Sequence, residues 1–208
     1  VQELFKPKHP FFEVGKIQLF LAYNDKDQIV GRIAAIINDA HNKFWNEKVG
    51  FWGFYESIDN KSVSKLLIST AEKWLKEKGM EKCRGPVNPS TNYECGLLVQ
   101  GQHDSPQIMM TYNPEYYQDQ FFDSGYSKIK DLLAYQIDLS FKMPEKITRI
   151  ASRIEKSKKV TYRFIKKKNW KEEVNLMLEI YNKAWQKNWG FIPMTTREFV
   201  HTANDLKN

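Results

Sequence analysis

Val49-Gly50-Phe51-Trp52-Gly53-Phe54-Tyr55-Glu56 decides the fold. Aromatic and branched side chains alternate onto both faces of this stretch, which reads as a strand. A strand that is apolar on both faces lies inside a sheet, with material packed above and below it. Gly50 and Gly53 predict a bulge or the close approach of another backbone. The apolar run stops at Glu56, and a polar connection, Ser57 to Ser62, follows.

Working outward, Lys16 to Tyr23 and Ile29 to Asn38 read as two strands joined by the polar turn Asn24-Asp25-Lys26-Asp27-Gln28. Together they predict a hairpin. On the other side, Val63, Leu66, Leu67, Thr70, Ala71, Trp74 and Leu75 fall on one helical stripe. Asp59, Asn60 and Ser62 offer caps at its start, and Gly79 offers a left-handed stop. A strand is expected around Glu81 to Val87, a short helix over Pro114 to Asp123, and a long last strand over Lys128 to Leu139. The expected fold class is α+β, with layered α/β elements: a mixed, mainly antiparallel sheet flanked by helices.

A second unit is expected from residue 142 onward. Residues 1–141 hold 16 Lys+Arg and 18 Asp+Glu, a net of −2; residues 142–208 hold 16 and 7, a net of +9, which together give +7. Within 142–208, Glu145 to Lys156 and Trp170 to Asn188 read as helices, Val160 to Ile165 as a strand, and a further helix starts at Thr195 or Thr196. One strand without a neighbour makes an incomplete layer. These elements either open a second α/β unit or pack back onto the first sheet.

The chain has 208 residues, 41% of them hydrophobic and 27% charged, with a mean hydropathy of −0.61. That composition excludes a disordered chain. No run of 18 apolar residues occurs, so no membrane-spanning helix and no membrane partner is expected. Cys83 and Cys95 are too few for a disulfide scaffold and fit a reducing, cytoplasmic setting. His9, His41, His103 and His201 lack metal-ligand spacing, so no metal is expected. The lysine clusters read as solvated faces, and nucleic acid is not an expected partner.

The order hairpin, central strand, helix, strand, helix, strand resembles the core of the GNAT N-acetyltransferase superfamily. Longer stretches resemble a bacterial family of tandem GNAT-like proteins. They include Gly31-Arg32-Ile33-Ala34-Ala35, Val49 to Phe54, and Gly85-Pro86-Val87-Asn88-Pro89-Ser90-Thr91-Asn92-Tyr93-Glu94-Cys95-Gly96. Tyr112 to Tyr117, Asp131 to Tyr135 and Asn188 to Pro193 extend the likeness over nearly the whole chain. The resemblance implies a GNAT-like domain over 1–141, lacking the strand and helices that open such domains. It implies the start of a second over 142–208, and hence a fragment of a longer protein.

It also implies acyl transfer from acetyl-CoA or another acyl-CoA to the amine of a small molecule. The pyrophosphate is then expected at the helix start, on Ser57, Asn60, Lys61 and Ser62. This sequence departs from the family there, because the loop holds no glycine. Glu56 occupies the place of the family's base. The family's proton-donating tyrosine aligns with Phe121, and Tyr117, one turn earlier, is the candidate to replace it. Separately, the loop Asn88 to Glu94 is polar and stiffened by Pro86 and Pro89. Asn88, Ser90, Asn92 and Glu94 are candidate substrate contacts, or members of a network of Asx turns. The expected function is an N-acyltransferase acting by direct attack of an amine. The alternative is a catalytically silent GNAT-like domain with a binding or structural role. The transferase reading requires strands 49–56 and 81–87 to splay and leave a wedge.

Overall fold

The computed structural model describes residues 3–138, 140–157 and 161–205. Its centre is a four-stranded sheet of β1 (Gly15–Tyr23), β2 (Ile29–Asn38), β3 (Val49–Ser57) and β4 (Lys82–Arg84), in that spatial order. The first two pairings are antiparallel and the third is parallel. The sheet is therefore mixed, mainly antiparallel and flanked by helices, as the periodicities predict. Asn24 closes the first hairpin, its Oδ1 accepting the N–H groups of Lys26 and Gln28.

Helix α1 (Asp39–Trp45) follows β2 directly. The Asn38 side chain caps it by accepting the His41 N–H, and Asn46, at φ +53°, ends it. Helix α2 (Lys61–Glu77) carries the strand-to-strand crossover from β3 to β4. It lays Leu67, Ile68, Ala71 and Leu75 onto Ile33, Ala35, Ile37, Trp52 and Tyr55 of the sheet. Burial of each large aliphatic side chain there contributes about 1.5–3 kcal/mol. Helix α3 (Tyr116–Asp123) adds Tyr117 and Phe121 to the same core.

The opposite face of the sheet holds a smaller core of Phe11, Ala34, Ile36, Val49, Phe51 and Val87. Phe11 comes from a short 3-10 turn, Pro10–Glu13. Val87 comes from β5 (Val87–Asn88), which pairs with β6 (Glu94–Cys95) in a two-residue ladder. The strand expected over Glu81 to Val87 is thus two short ones. Pro86, which has no N–H to give a ladder, sits between them.

Residues 128–138 form no strand, contrary to the alternating pattern of Lys128 to Leu139; Leu139 lies outside the described residues. The physical reason is the lack of a partner, since β4 is only three residues long. Residues 161–165 likewise form no strand, and Val160 lies outside the described residues. Helix α4 (Glu145–Lys156) matches its expected span and keeps Ile147, Ile150 and Ile154 exposed. Helices α5 (Trp170–Trp185) and α6 (Thr196–Asp205) bond back to the first 100 residues. Trp45 Nε1 donates to the Phe191 carbonyl at 2.8 Å, and Arg197 pairs with Glu13.

Candidate active site

The central strand changes character along its length. At Val49, Gly50 and Phe51 it pairs with Lys82, Cys83 and Arg84, and there the ladder ends. Two residues on, Gly53 lies so close to β5 that a Cβ would overlap the Val87 carbonyl oxygen. That close approach is what the glycine pattern predicts. The register with β2 shifts between Arg32 and Ala34, and Phe54 takes the left-handed φ of +49°. For a non-glycine residue this is a strained, bulged position. The Phe54 N–H is turned toward Asn88 and donates to its Oδ1 at 2.6 Å. The ladder between the two stretches therefore stops after Phe51, but they stay in contact at Gly53 and Val87, and the Asn88 side chain fills the next step.

Beyond the bulge, α3 takes the place of a strand partner. Tyr116 Oη donates to the Ser57 carbonyl at 2.9 Å, and the Ser57 N–H donates to Tyr117 Oη at 3.1 Å. Tyr117 Oη in turn donates to Glu56 Oε2 at 2.9 Å. Gln120, one turn on, donates from Nε2 to the Ile58 carbonyl at 2.9 Å and accepts the Tyr55 hydroxyl at 2.7 Å. Side chains of one helix thus engage the Ser57 N–H and the Ser57 and Ile58 carbonyls beyond the bulge. The sequence reading missed Gln120. Its signal is a glutamine three residues after Tyr117, on the helical face that also carries Phe121, where only a partnered polar group is stable.

The structure brings the two candidate catalytic residues, Glu56 and Tyr117, into direct contact. Their environments differ. The Glu56 side chain is 60% exposed, whereas Tyr117 is buried. Arg32, the cross-strand neighbour of Glu56, stands 3.6 Å from Glu56 Oε1. An exposed pair of that kind contributes about 0–1 kcal/mol to stability, so its relevance is to charge and not to folding. Burial, together with the adjacent Glu56 carboxylate, pushes the Tyr117 hydroxyl far above the ordinary tyrosine range. At neutral pH Tyr117 therefore keeps its proton and holds it on Glu56. It is a weak acid, and it positions the carboxylate; Glu56 is the group open to solvent.

The start of α2 is more fully engaged. Asn60 Oδ1 accepts the N–H groups of Ser62 and Val63, and the Asn60 carbonyl accepts that of Ser64. Two of the helix's orphan N–H groups, those of Ser62 and Val63, are thus taken by one capping side chain, and the first intrahelical bond takes that of Ser64. Lys61 Nζ pairs with Asp123 at 2.6 Å. The Ser57 hydroxyl donates to the Ile58 carbonyl. As folded, these residues do not fit a pyrophosphate, which needs several free N–H groups converging on it.

The loop of candidate substrate contacts is also largely spent on the protein itself. Asn88 Nδ2 donates to Glu94 Oε1 at 3.2 Å. The buried Ser90 accepts the Asn92 N–H. Asn92 Nδ2 donates to the Ile192 carbonyl at 3.1 Å, and its Oδ1 accepts the Tyr181 hydroxyl at 2.8 Å. Thr91 donates to the Gly190 carbonyl, and Tyr93 donates to the buried Glu198 at 2.9 Å. Of the four candidates, Asn88 and Glu94 stay beside the bulge, while Ser90 and Asn92 face the later helices. Among the described residues no cluster of His, Cys, Asp or Glu could hold a metal ion. Burial pushes the Cys83 thiol up to about 11, which leaves it protonated and unreactive at neutral pH. Among the described residues no helix is long and apolar enough to cross a membrane.

Comparison with known proteins finds two curated relatives. Protein YghO of Escherichia coli (strain K12) is 37% identical over 183 residues, covering 86% of this chain and 46% of that protein. Bacterial ceramide synthase of Caulobacter vibrioides is 36% identical over 200 residues, covering 96% of this chain and 52% of that protein. The chain spans about half the length of the curated relatives it matches. No family model matches it, and no solved structure does.

Proposed function

We propose that this chain contributes the proton-handling site of a bacterial N-acyltransferase, which joins an amine to an activated acyl group. The observation that carries the reading is the contact of Tyr117 Oη with Glu56 Oε2, at a bulged strand end open to solvent. The likeness to a protein named ceramide synthase supports it, because a ceramide is an amide of a long-chain amine. The likeness to the GNAT core, which includes the hairpin, the bulged central strand and α2, supports it as well.

In this reading Glu56 accepts the proton of the incoming ammonium, and the resulting neutral amine attacks the thioester carbon. The C–N bond forms as the C–S bond breaks; the leaving CoA thiolate takes the second proton of the nitrogen, and Glu56 returns its own to solvent. Tyr117 fixes which Glu56 oxygen faces the substrate, since its hydroxyl occupies the other. Arg32 beside them disfavours a second positive charge, and so favours the neutral, nucleophilic amine. An acyl-CoA is the proposed donor class. The α2 start does not fit its pyrophosphate, so no step is assigned to those residues.

A second reading has its own support. The Asn60 cap and the Asn88 plug leave the first domain self-satisfied, as expected of a catalytically silent domain that serves binding or support. Turnover separates the two. With acetyl- and palmitoyl-CoA and a panel of primary amines, the full gene product should form amide. Glu56→Gln should lower kcat/KM by about 100-fold or more, the usual worth of a positioned base. Amide formation at an unchanged rate in Glu56→Gln, or none with wild-type protein, refutes the transferase role of this site.

A further inference from the structure

The sheet face that carries Glu56 is only half covered. At one end, Ile17, Ile36 and Phe51 lie in a cross-strand row under Phe11 and Phe12. At the other end, Leu21 pairs with Arg32 and Arg32 pairs with Glu56, which makes a second row on the same face. Leu19, one row in, stands beside Ala34. Leu19, Leu21 and Tyr23 alternate onto this face while Phe20 and Ala22 pack on the α2 side. All three are exposed, at 50%, 50% and 57%.

Resting on the acyltransferase reading above, we propose that Leu19, Leu21 and Tyr23 seat the alkyl tail of the substrate. The site then selects amines with long apolar chains over short ones. Strands about 4.8 Å apart place Leu21 roughly 10 Å from Glu56, across Arg32. Along β1 the three side chains span about 14 Å, four residues at about 3.4 Å each. An amine at Glu56 can thus run its tail past the aliphatic stem of Arg32 and along β1.

Two features favour a tailed amine over other occupants. The apolar strip is continuous with an exposed carboxylate that has a tyrosine fixed on it, so a head group and a tail find complementary surfaces in one row. The strip also lies on the side chains of β1 and not on its outer backbone edge, where a second copy of the chain would add a strand.

Isothermal titration of the full-length protein with dodecylamine, below its micelle concentration, and with butylamine tests the proposal. Wild type should bind dodecylamine about tenfold tighter, the gain of roughly two buried methylenes. Leu19→Ser/Leu21→Ser should cut that ratio to below about threefold with an unchanged Tm, because half-exposed positions cost the fold little. Glu56→Gln should weaken both amines and leave the ratio intact. If Glu56→Gln changes neither affinity, the assignment of Glu56 fails while the tail seat stands. A chain-length ratio that survives Leu19→Ser/Leu21→Ser overturns the tail seat. So does wild type without a length preference, or a wild-type dimer, lost in the double variant, that binds no amine.

Discussion

The two faces of the sheet are closed by different means. On the α2 side the closure is apolar and continuous, from Ala22 through Trp52 to Leu75. On the other side a small apolar core, Phe11 to Val87, covers only one end. Polar contacts add to it, Asn88 on Phe54, Asn92 on Tyr181 and Tyr93 on Glu198, beside the buried Phe191, Ile192 and Met194. Apolar packing is non-directional, and it fixes the fold whatever the exact angles. Hydrogen bonds are directional, and they fix where particular atoms point. The exposed carboxylate of Glu56 sits on the polar-closed side, where direction matters and complete coverage would bury the site.

The contrast predicts unequal costs. Trp52 is fully buried, with ring centroids 4.7 Å from Phe121 and 5.4 Å from Tyr126. Trp52→Ala should lower unfolding free energy by about 3–5 kcal/mol in urea titrations. Asn88→Ala leaves the Phe54 N–H without its acceptor and should cost about 1–3 kcal/mol. Asn88→Asp keeps the acceptor but turns its second oxygen on Glu94, so recovery should be larger for Asn88→Asp/Glu94→Gln than for Asn88→Asp alone. Equal losses for Trp52→Ala and Asn88→Ala would erase the distinction between the faces.

What could be read from the sequence follows the same division. Apolar closure writes itself as periodicity, so the hairpin, the central strand and the α2 stripe were all legible. Gly53 announced the close backbone approach, which the Val87 carbonyl makes. The pairing of Glu56 with Tyr117 was legible as two candidates but not as a contact, since a strand end and a helix residue 61 positions apart share no local pattern. Polar closure was ambiguous throughout. Asn60 and Asn92 look alike as ligand contacts and as caps, and only geometry shows that their side-chain oxygens are already taken. Gln120 went unread because a lone glutamine on an apolar face has no motif. The alternation of Lys128 to Asp138 misled because alternation needs a partner strand, and the sequence does not show that β4 stops at Arg84.

The polar side should also respond to pH where the apolar side does not. Glu198 is buried under Tyr93, with Arg197 and Glu13 close by and the His9 and His201 rings stacked edge to face at 4.8 Å. Burial raises its pKa above the ordinary carboxylate range; the Tyr93 hydrogen bond lowers it, but by less. A carboxyl whose folded pKa exceeds its unfolded one stabilises the fold fully below the unfolded value. That stabilisation is lost as pH rises through the folded value. Glu198→Gln keeps an oxygen for the Tyr93 hydroxyl and cannot ionise. Scanning calorimetry from pH 4 to pH 8 should therefore show wild-type Tm falling relative to Glu198→Gln as pH rises. Trp52→Phe, on the apolar side, should track wild type in parallel. A constant Tm difference between wild type and Glu198→Gln across that range would mean that Glu198 ionises at no cost. The polar closure would then be as indifferent to charge as the packed face behind it.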